Sequence, residues 1–500
     1  MVMQMKKIVN WIKKNWYFLL FAIPFVNLCI ANKNPTNDIW FLLNNGRYVL
    51  HHWIPYVDPF TIHEGLNYVM QQWLTSVIFY GIYAKLGGFG LLSFTLIYSC
   101  LIMFLYYRLC YFVSKNKLMS VIVTCIVFVI CRKYFVFRPQ LFTYTVFLLE
   151  LLCMEKYIKS GDYKKLIWMP FLSLLLINMH ASMWLLQFVF MLPVLCNCIK
   201  IKGITVDKIK FKPLLITMII MLLVGFINPY GYKAITFVFD SYNIPEINEL
   251  VTEMMPITLE ERTGKLMILS LLGMVVLCNY FRKNKLDIRH ILFLIGTALL
   301  GFMHDKCVVL FMFYAGYVAV FLLQSFSFKE IKNKYLLSLY KGVVISSAVC
   351  LLISFVFAGV VLYKNYDFKS RSNVEITDYI LKNYNKDEVI LFTDYDYGGY
   401  TEFMGLKSYM DPRAELFNDK LNKKENIIRE ALLLDGADDS YYEKFIEKYN
   451  FTHLIINSYL NNFIEYMNKN DNYVLEYEQK SSEGLFVTDR LYVRKDVSIK

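Results

Sequence analysis

Apolar residues come in long runs between residues 16 and 362, and short polar stretches separate these runs. About 20 consecutive apolar residues are enough for a helix to cross the ~30 Å hydrocarbon layer of a bilayer. The runs that we predict to span a membrane are residues 16–32, 89–112, 118–137, 141–158, 166–180, 182–199, 213–228, 265–281, 290–304, 307–325 and 341–362. The pattern therefore predicts a polytopic α-helical membrane protein with about eleven transmembrane helices.

The pattern changes after residue 362, where Asp, Glu, Lys and Asn become frequent. Two short apolar runs, Glu388–Thr393 and Thr452–Asn457, are typical of buried strands. The other segments that we expect to be regular are helices at 373–384, 424–434, 440–449 and 460–469 and strands at 407–410, 472–478 and 484–494. We therefore predict a transmembrane domain over 1–362 and a soluble α/β domain, the tail domain, over 363–500.

Composition supports the membrane assignment, since 57% of the residues are hydrophobic and only 19% are charged. The net charge of +12 would suit a nucleic-acid partner. The surplus lies in short loops between the apolar runs, however, where basic residues determine topology. We therefore predict no nucleic-acid partner. The eleven cysteines lie in or beside apolar runs and show no disulfide framework or zinc spacing.

Basic residues concentrate in alternate loops, in the arrangement that leaves the N-terminus in the cytoplasm. The stretch 69–86 is also apolar, but a span there would invert every later loop. We therefore predict that it is a helix lying along the outer surface, with an ordinary span as the alternative. The expected location is the cytoplasmic (plasma) membrane, with the tail domain outside and membrane lipid as a partner.

Two outer segments are long, residues 33–88 and 229–264, and long ordered loops often carry function. Asp38 follows the first predicted span closely, and a carboxylate there can act as a general base. The alternatives are a helix cap for Asp38 and a turn before Pro59 for Asp58.

The outer ends of several predicted spans carry polar or ionisable side chains, and such groups at membrane depth are often functional. These residues are Arg138, His180, Asn228, His304 and Lys306. Guanidinium and ammonium groups both pair with phosphate, so Arg138 and Lys306 suit a phosphate ligand. The alternatives are that Arg138 extends to lipid headgroups and that Asn228-Pro229 only ends a helix.

A series of short motifs in a fixed order resembles bacterial members of the GT-C glycosyltransferase superfamily, related to protein mannosyltransferases and aminoarabinose transferases. The motifs are Asp38-x-Trp40, Asp58-Pro59-Phe60, Trp73-Leu74, Arg138-Pro139-Gln140, Asn178-x-His180, Asn228-Pro229-Tyr230-Gly231, Glu253-x-x-Pro256, His304-Asp305-Lys306, Asp396-Tyr397-Gly398-Gly399-Tyr400 and Met410-Asp411-Pro412-Arg413-Ala414-Glu415. The resemblance covers most of the chain and rests on the order of the motifs.

The resemblance implies a glycosyltransferase that moves a sugar from a polyprenyl-phosphate donor to a glycan, lipid or protein acceptor on the outer face. It implies that Asp38, with Asp58, is catalytic, that Arg138, His180, Lys306 and His304 bind the donor phosphate, and that Trp40, Trp73, Asn228 and Glu253 contact substrate or shape the loops.

Many relatives carry a paired acid where this chain has Asn37-Asp38. A divalent cation therefore stays open as a cofactor, and the sequence does not require one. Asp58 and Glu64 would be the additional ligands if the first outer loop folds back.

Two other functions stay open. One is a transporter or flippase for a lipid-linked glycan, although the sequence shows no internal repeat and its polar clusters lie at helix ends. The other is a non-catalytic assembly protein on a GT-C-like scaffold.

Overall fold

A computed structural model describes residues 16–32, 36–199, 209–242, 244–251, 254–281, 283–326, 373–480 and 488–500, with isolated residues between 353 and 369. The helices before the tail domain, α1 to α14, are Ala22–Ala31, Asp38–His52, Trp73–Ser114, Lys117–Ile130, Gln140–Ser160, Met169–Met179, Ala181–Trp184, Leu186–Cys196, Phe211–Val224, Tyr232–Tyr242, Pro245–Leu250, Arg262–Tyr280, Ile288–Met303 and Val308–Leu322.

Three helical segments are long and apolar enough to cross a membrane: Trp73–Ser114, Arg262–Tyr280 and Asp305–Ser325. Shorter apolar helices occupy the predicted spans that begin near residues 16, 118, 182, 213 and 290. The architecture is thus that of a helical membrane protein, while the number of eleven spans stays a prediction. The last predicted span, 341–362, lies almost entirely outside the described residues.

Helix α3 contains residues 73–86, most of the stretch 69–86 whose placement the sequence left open. At 42 residues it is about 63 Å long, twice the hydrocarbon thickness, so it cannot be one straight span. A kink at Gly87, where φ is 63°, divides it into two arms. The first arm ends against the segment that leads to the tail domain, because the Tyr366 hydroxyl donates to the Gly88 carbonyl (2.8 Å). The placement of the first arm along the membrane surface stays a prediction.

Helix α2 occupies part of the predicted first outer loop and packs closely against the first arm of α3. A Cβ atom at Gly46 would lie 2.1 Å from the Ser76 carbonyl oxygen, so only glycine allows this approach. The close packing holds the start of α2, which is Asp38, in a fixed position relative to α3.

A buried ion cluster joins α5, α13 and α14 at the end of α13 that lies far from Lys306. Arg289 contacts Glu155 (3.4 Å) and Asp287 (2.9 Å), and Tyr317 donates to Glu155 (2.6 Å). Because charges buried among apolar helices are costly unless they are paired, the cluster fixes these three helices together.

The tail domain is an α/β fold, as the sequence predicts. Its helices α15 to α20 are Val374–Asn383, Gly398–Phe403, Asp419–Asn422, Ile427–Leu432, Asp439–Tyr449 and Asn461–Lys469. Its strands β1 to β5 are Ile390–Phe392, Lys407–Ser408, His453–Asn457, Tyr473–Lys480 and Thr488–Arg494. They form one sheet in the order β2-β1-β3-β5-β4, in which β1 runs parallel to β2 and β3, and β5 runs antiparallel to β3 and β4.

Residues 394–397 form a turn that leads from strand β1 into a short helix. Helix α16 begins at Gly398. The Asp394 carboxylate accepts hydrogen bonds from the backbone N–H groups of Asp396 and Tyr397, which turns the chain into this helix. A Cβ atom at Gly398 would lie within 1.8 Å of the Met410 carbonyl oxygen, so the glycine serves tight packing.

The first outer segment is joined to the edge of the tail sheet. Thr61 forms a parallel bridge with Ser408, and the Ser408 carbonyl accepts a hydrogen bond from the Ile62 N–H (3.0 Å). The Lys424 ammonium donates to the Glu64 carbonyl (2.6 Å). The tail domain is therefore held against the transmembrane domain by backbone pairing.

The predicted topology makes a direct test possible. An epitope tag inserted after Lys115 should be protected from an impermeant protease in intact cells, and a tag after Lys500 should be digested, because basic loops face the cytoplasm. Digestion of the Lys115 tag together with protection of the Lys500 tag would contradict the surface-lying arm and favour a span at 69–86.

Candidate functional site

A cavity of about 160 Å³ lies where several helix ends meet the tail domain. Among its lining residues are Asp38, Arg138, His180 and Lys306 from the helical domain and Glu415 from the tail domain. Four residues that are far apart in sequence and that we predict to be functional therefore line one cavity. Pockets that enclose a whole drug-sized ligand measure about 300–1,000 Å³, so this cavity suits reacting groups rather than an entire glycolipid.

Asp38 and Arg138 form an ion pair within the cavity, with 2.6 Å between Oδ2 and Nη2. Asp38 is the first residue of α2, where the helix dipole favours an anion. Arg138 directly precedes Pro139 and the start of α5. The interpretation of Asp38 as a helix cap was wrong, since Asn37 occupies that position and the Asp38 carboxylate binds Arg138 instead.

His180 lies at the end of α6 and is buried against α5. Its Nδ1 is 2.7 Å from the Thr143 hydroxyl oxygen. The Asn178 side chain accepts from the indole N–H of Trp73 (3.0 Å) and donates to the Ile227 carbonyl (3.0 Å). These bonds fix the end of α6, so the His180 ring has a defined orientation at the cavity wall.

The three residues of the His304-Asp305-Lys306 motif point in different directions. Lys306 lines the cavity, and its ammonium lies 2.8 Å from the Met254 sulfur. His304 is hydrogen-bonded through Nδ1 to the Met254 carbonyl (2.9 Å), and Asp305 pairs with Lys133 (2.9 Å). Of the motif, only Lys306 is placed to meet a ligand in this cavity.

Asp58 lies outside the cavity, in a buried cluster around Arg413. Both Asp58 oxygens are used, because Oδ1 pairs with the Arg413 guanidinium and Oδ2 accepts from the N–H and hydroxyl of Thr61 (2.9 and 2.8 Å). The geometry thus corrects the catalytic assignment of Asp58 and shows a structural role, with the turn before Pro59 as one part of it. Glu64 does not line the cavity either.

The other loop residues also have structural contacts. Trp40 is only 1% exposed and packs on Tyr400 and Phe403 of the tail domain, so it does not present a stacking surface to a sugar. Trp73 binds Asn178, as described above. Asn228 caps its own turn, since its amide donates to the Gly225 and Gly231 carbonyls (2.8 and 3.0 Å). Glu253 lies outside the described residues.

Arg413 forms the most enclosed ion cluster of the tail domain. Its guanidinium binds Asp411 through two oxygens (2.9 and 2.8 Å from Nε), pairs with Asp58 and lies 3.4 Å from Glu402. Burial, followed by the charge of Asp411, raises the pKa of Glu402 well above its usual range. Asp411 and Arg413 form a local ion pair, and its extension to Asp58 attaches the tail domain to the segment 33–88.

Polar cavity residues that the sequence did not predict as part of a site include Gln71, Gln140 and Glu415. The side-chain oxygens of Gln71 and Gln140 are buried without a hydrogen-bond partner among the described residues. Gln140 and Glu415 belong to motifs that the sequence analysis had noted. Sequence spacing alone gives no indication that a residue of the tail domain reaches the cavity.

The described part of the chain contains no group of three or more His, Cys, Asp or Glu side chains arranged to hold a metal ion. In the cavity, the Asp38 carboxylate is already paired with Arg138. The side chains of the cavity therefore do not fit a metal centre.

Comparison with solved structures reveals the fold relationship. The chain is similar to the Archaeoglobus fulgidus oligosaccharyltransferase, a GT-C type glycosyltransferase, in its apo form, with a TM-score of 0.57 and 11% identity over 98% of this chain and 76% of that one. A structure of the same protein tethered to an acceptor peptide gives 0.53 and 12% over 97% and 75%, and its complex with Zn and sulfate gives 0.51 and 11% over 87% and 67%.

The chain shares its fold with an oligosaccharyltransferase. No protein-family model matches the chain, and no curated protein matches it. At 11–12% identity the relationship extends to the fold alone. The expectation of a GT-C-like membrane architecture is thereby supported at the level of the fold.

The Arg413 cluster makes a stability prediction. Arg413→Ala leaves Asp58 and Asp411 buried without their partner, which should cost about 3–5 kcal/mol and release the tail domain. Thermal unfolding and limited proteolysis of the detergent-solubilised full chain would measure this. The matched control, Arg490→Ala, removes an exposed pair with Glu478 and should cost at most about 1 kcal/mol. Equal stability of the two variants would contradict the structural role of Arg413.

Proposed function

We propose that this protein is a glycosyltransferase that moves a sugar from a polyprenyl-phosphate donor to an acceptor on the outer face of the cytoplasmic membrane. The observation that carries the proposal is the single cavity that brings a carboxylate, Asp38, together with Arg138, His180 and Lys306. The fold shared with an oligosaccharyltransferase supports it.

The charged residues divide into two chemical roles. Transfer places new negative charge on the departing phosphate, and preorganised cationic donors stabilise such charge. Arg138 and Lys306 supply those donors, and His180 adds a ring nitrogen. Asp38 deprotonates or orients the acceptor hydroxyl, because general-base assistance requires a carboxylate within hydrogen-bond reach.

The uncharged lining residues suit a sugar. Sugars present many hydroxyl donors, and the buried side-chain oxygens of Gln71 and Gln140 have no hydrogen-bond partner among the described residues. Leaving a buried acceptor unsatisfied costs about 1–3 kcal/mol, which a bound hydroxyl would recover. A site for phosphate alone would not need these acceptors.

The position of the cavity favours an enzyme over a transporter. Transporters bind substrate near the middle of the membrane, between repeats and broken helices. Here Asp38 begins α2 and Arg138 precedes α5, while His180 and Lys306 follow the ends of α6 and α13. All four lie where these helices meet the tail domain. We propose that the acceptor, which is a glycan, a lipid or a protein, enters from this side.

The first test is the substitution Asp38→Asn, which keeps the shape of the side chain and removes its charge. Transfer of radiolabelled sugar from polyprenyl phosphate to membrane acceptors should fall by at least about 100-fold, the lower range for general-base catalysis. Expression and melting temperature should remain near wild type. Asp240→Asn, at an exposed acid on α10, is the control and should retain full transfer.

Full transfer by the Asp38→Asn variant would remove Asp38 from the mechanism. Movement of intact donor across sealed vesicles, without cleavage of the bond between sugar and phosphate, would instead establish a transporter.

The second test concerns the donor phosphate. Lys306→Met removes a charge-assisted hydrogen bond worth about 1.5–3 kcal/mol, so kcat/KM for the donor should fall roughly 10- to 150-fold. The control is Lys265→Met, at an exposed lysine on α12, which should leave kcat/KM unchanged. An equal effect of both substitutions would point to general surface charge rather than to a phosphate contact.

A further inference from the structure

Glu415 is the one residue of the cavity that brings a carboxylate from the tail domain. It lies in a short 3-10 turn, Ala414–Phe417, directly after Arg413. Its neighbours Pro412 and Ala414 also line the cavity. The segment 412–415 is therefore the wall of the cavity that the tail domain provides.

The position of this wall is fixed from two sides. Arg413 is bound to Asp58 of the first outer segment and to Asp411 of its own turn. The Tyr395 hydroxyl donates to the Pro412 carbonyl (2.9 Å). Because the residues before and around it are anchored, the Glu415 backbone cannot shift far, and its side chain is held at the cavity.

The Glu415 carboxylate lies within reach of its own backbone N–H, a contact that lowers its pKa. Among the described residues no side chain forms an ion pair or hydrogen bond with it, in contrast to Asp38, which pairs with Arg138, and to Glu402, which accepts from Ser408 (2.5 Å). Burying an acid without a side-chain partner costs free energy of folding. Polar groups that carry this cost in a cavity are candidates for function.

The charges around Glu415 come from several elements. Asp38 and Lys306 both act on it electrostatically, and Arg138, His180 and Tyr395 line the same cavity. Burial raises the pKa of Glu415 above its usual value; its own backbone N–H and Lys306 oppose the rise, and Asp38 adds to it. A general base works best when its pKa lies near the working pH, and a raised value moves a glutamate in that direction.

We propose that Glu415 is a second catalytic carboxylate of this site, supplied by the tail domain, and that it takes the proton of the acceptor hydroxyl. This rests on the proposed glycosyltransferase function. Asp38, held by Arg138, then orients the hydroxyl and the sugar. The two acids have different roles because their surroundings differ. Asp38 is held in an ion pair, whereas Glu415 has no such side-chain partner and can take up a proton.

The step balances as a single displacement. The acceptor proton moves to the Glu415 carboxylate, and the oxygen electron pair forms a bond to the anomeric carbon. The bond from that carbon to the donor phosphate oxygen breaks, and its electron pair leaves with the phosphate. The resulting polyprenyl phosphate carries one more negative charge beside Lys306 and Arg138, and the proton on Glu415 passes to solvent.

The experiment compares Glu415→Gln, Glu415→Asp and the control Glu447→Gln in the full-length protein, with a radiolabelled polyprenyl-phosphate sugar as donor. Glu447 is an exposed acid of the tail domain on α19. We expect Glu415→Gln to lower kcat by at least about 100-fold with little change in donor KM, Glu415→Asp to keep partial activity, and Glu447→Gln to match wild type.

The pH profile separates a catalytic from a structural role. Since a base acts only when deprotonated, wild-type kcat/KM should fall as the pH drops through the raised pKa of Glu415. The residual activity of Glu415→Gln should lack this acid limb. Lys306→Met should shift the limb to higher pH, because Lys306 lowers the Glu415 pKa.

Two results would overturn the proposal while the proposed function stands: wild-type kcat in Glu415→Gln, or a loss of activity in that variant that follows a lowered melting temperature and leaves the acid limb in place. Failure of the wild-type protein to transfer sugar from any polyprenyl-phosphate donor would instead overturn the proposed function, and this inference with it.

Discussion

The buried guanidinium of Arg413 is the interaction on which the geometry of this molecule depends most. It connects Asp58 of the first outer segment to Asp411 of the tail domain, and it is enclosed by the rings of Phe60 and Tyr68. Charges in such surroundings are tolerated only when they are paired in good geometry. The requirement that Arg413 stay paired therefore fixes how two distant parts of the chain approach each other, and the cavity lies directly beside that junction.

The helical bundle applies the same principle at its other end, where Arg289 joins Glu155 and Asp287. Between these two clusters the helices pack through apolar side chains, whose attraction is non-directional. The two ion clusters therefore fix how the helices are oriented relative to one another. Asp38 and Arg138 then meet at 2.6 Å because α2 is held against α3 and because α5 starts beside them.

The sequence predicts the features that neighbouring residues determine, and it predicts poorly the features that depend on contacts between distant segments. The tail strands and helices follow from local alternation, and most lie within a few residues of their expected bounds. Asp38, Arg138, His180 and Lys306 were predictable as a group because they all lie next to the ends of predicted spans. The structural roles of Trp40 and Asp58 were not predictable. Both side chains are buried, and they meet Tyr400 and Arg413 only when the tail domain docks. Glu415 was missed for the same reason, since nothing near it in sequence indicates the cavity.

The division of the cavity between two domains has a consequence for the timing of biosynthesis. Asp38 and Arg138 emerge early from the ribosome, whereas Glu415 emerges only after all the described helices of the transmembrane domain. A nascent chain thus holds an open half of the cavity until the segment 412–415 has been made. Completion of the cavity is in this way tied to completion of the polypeptide.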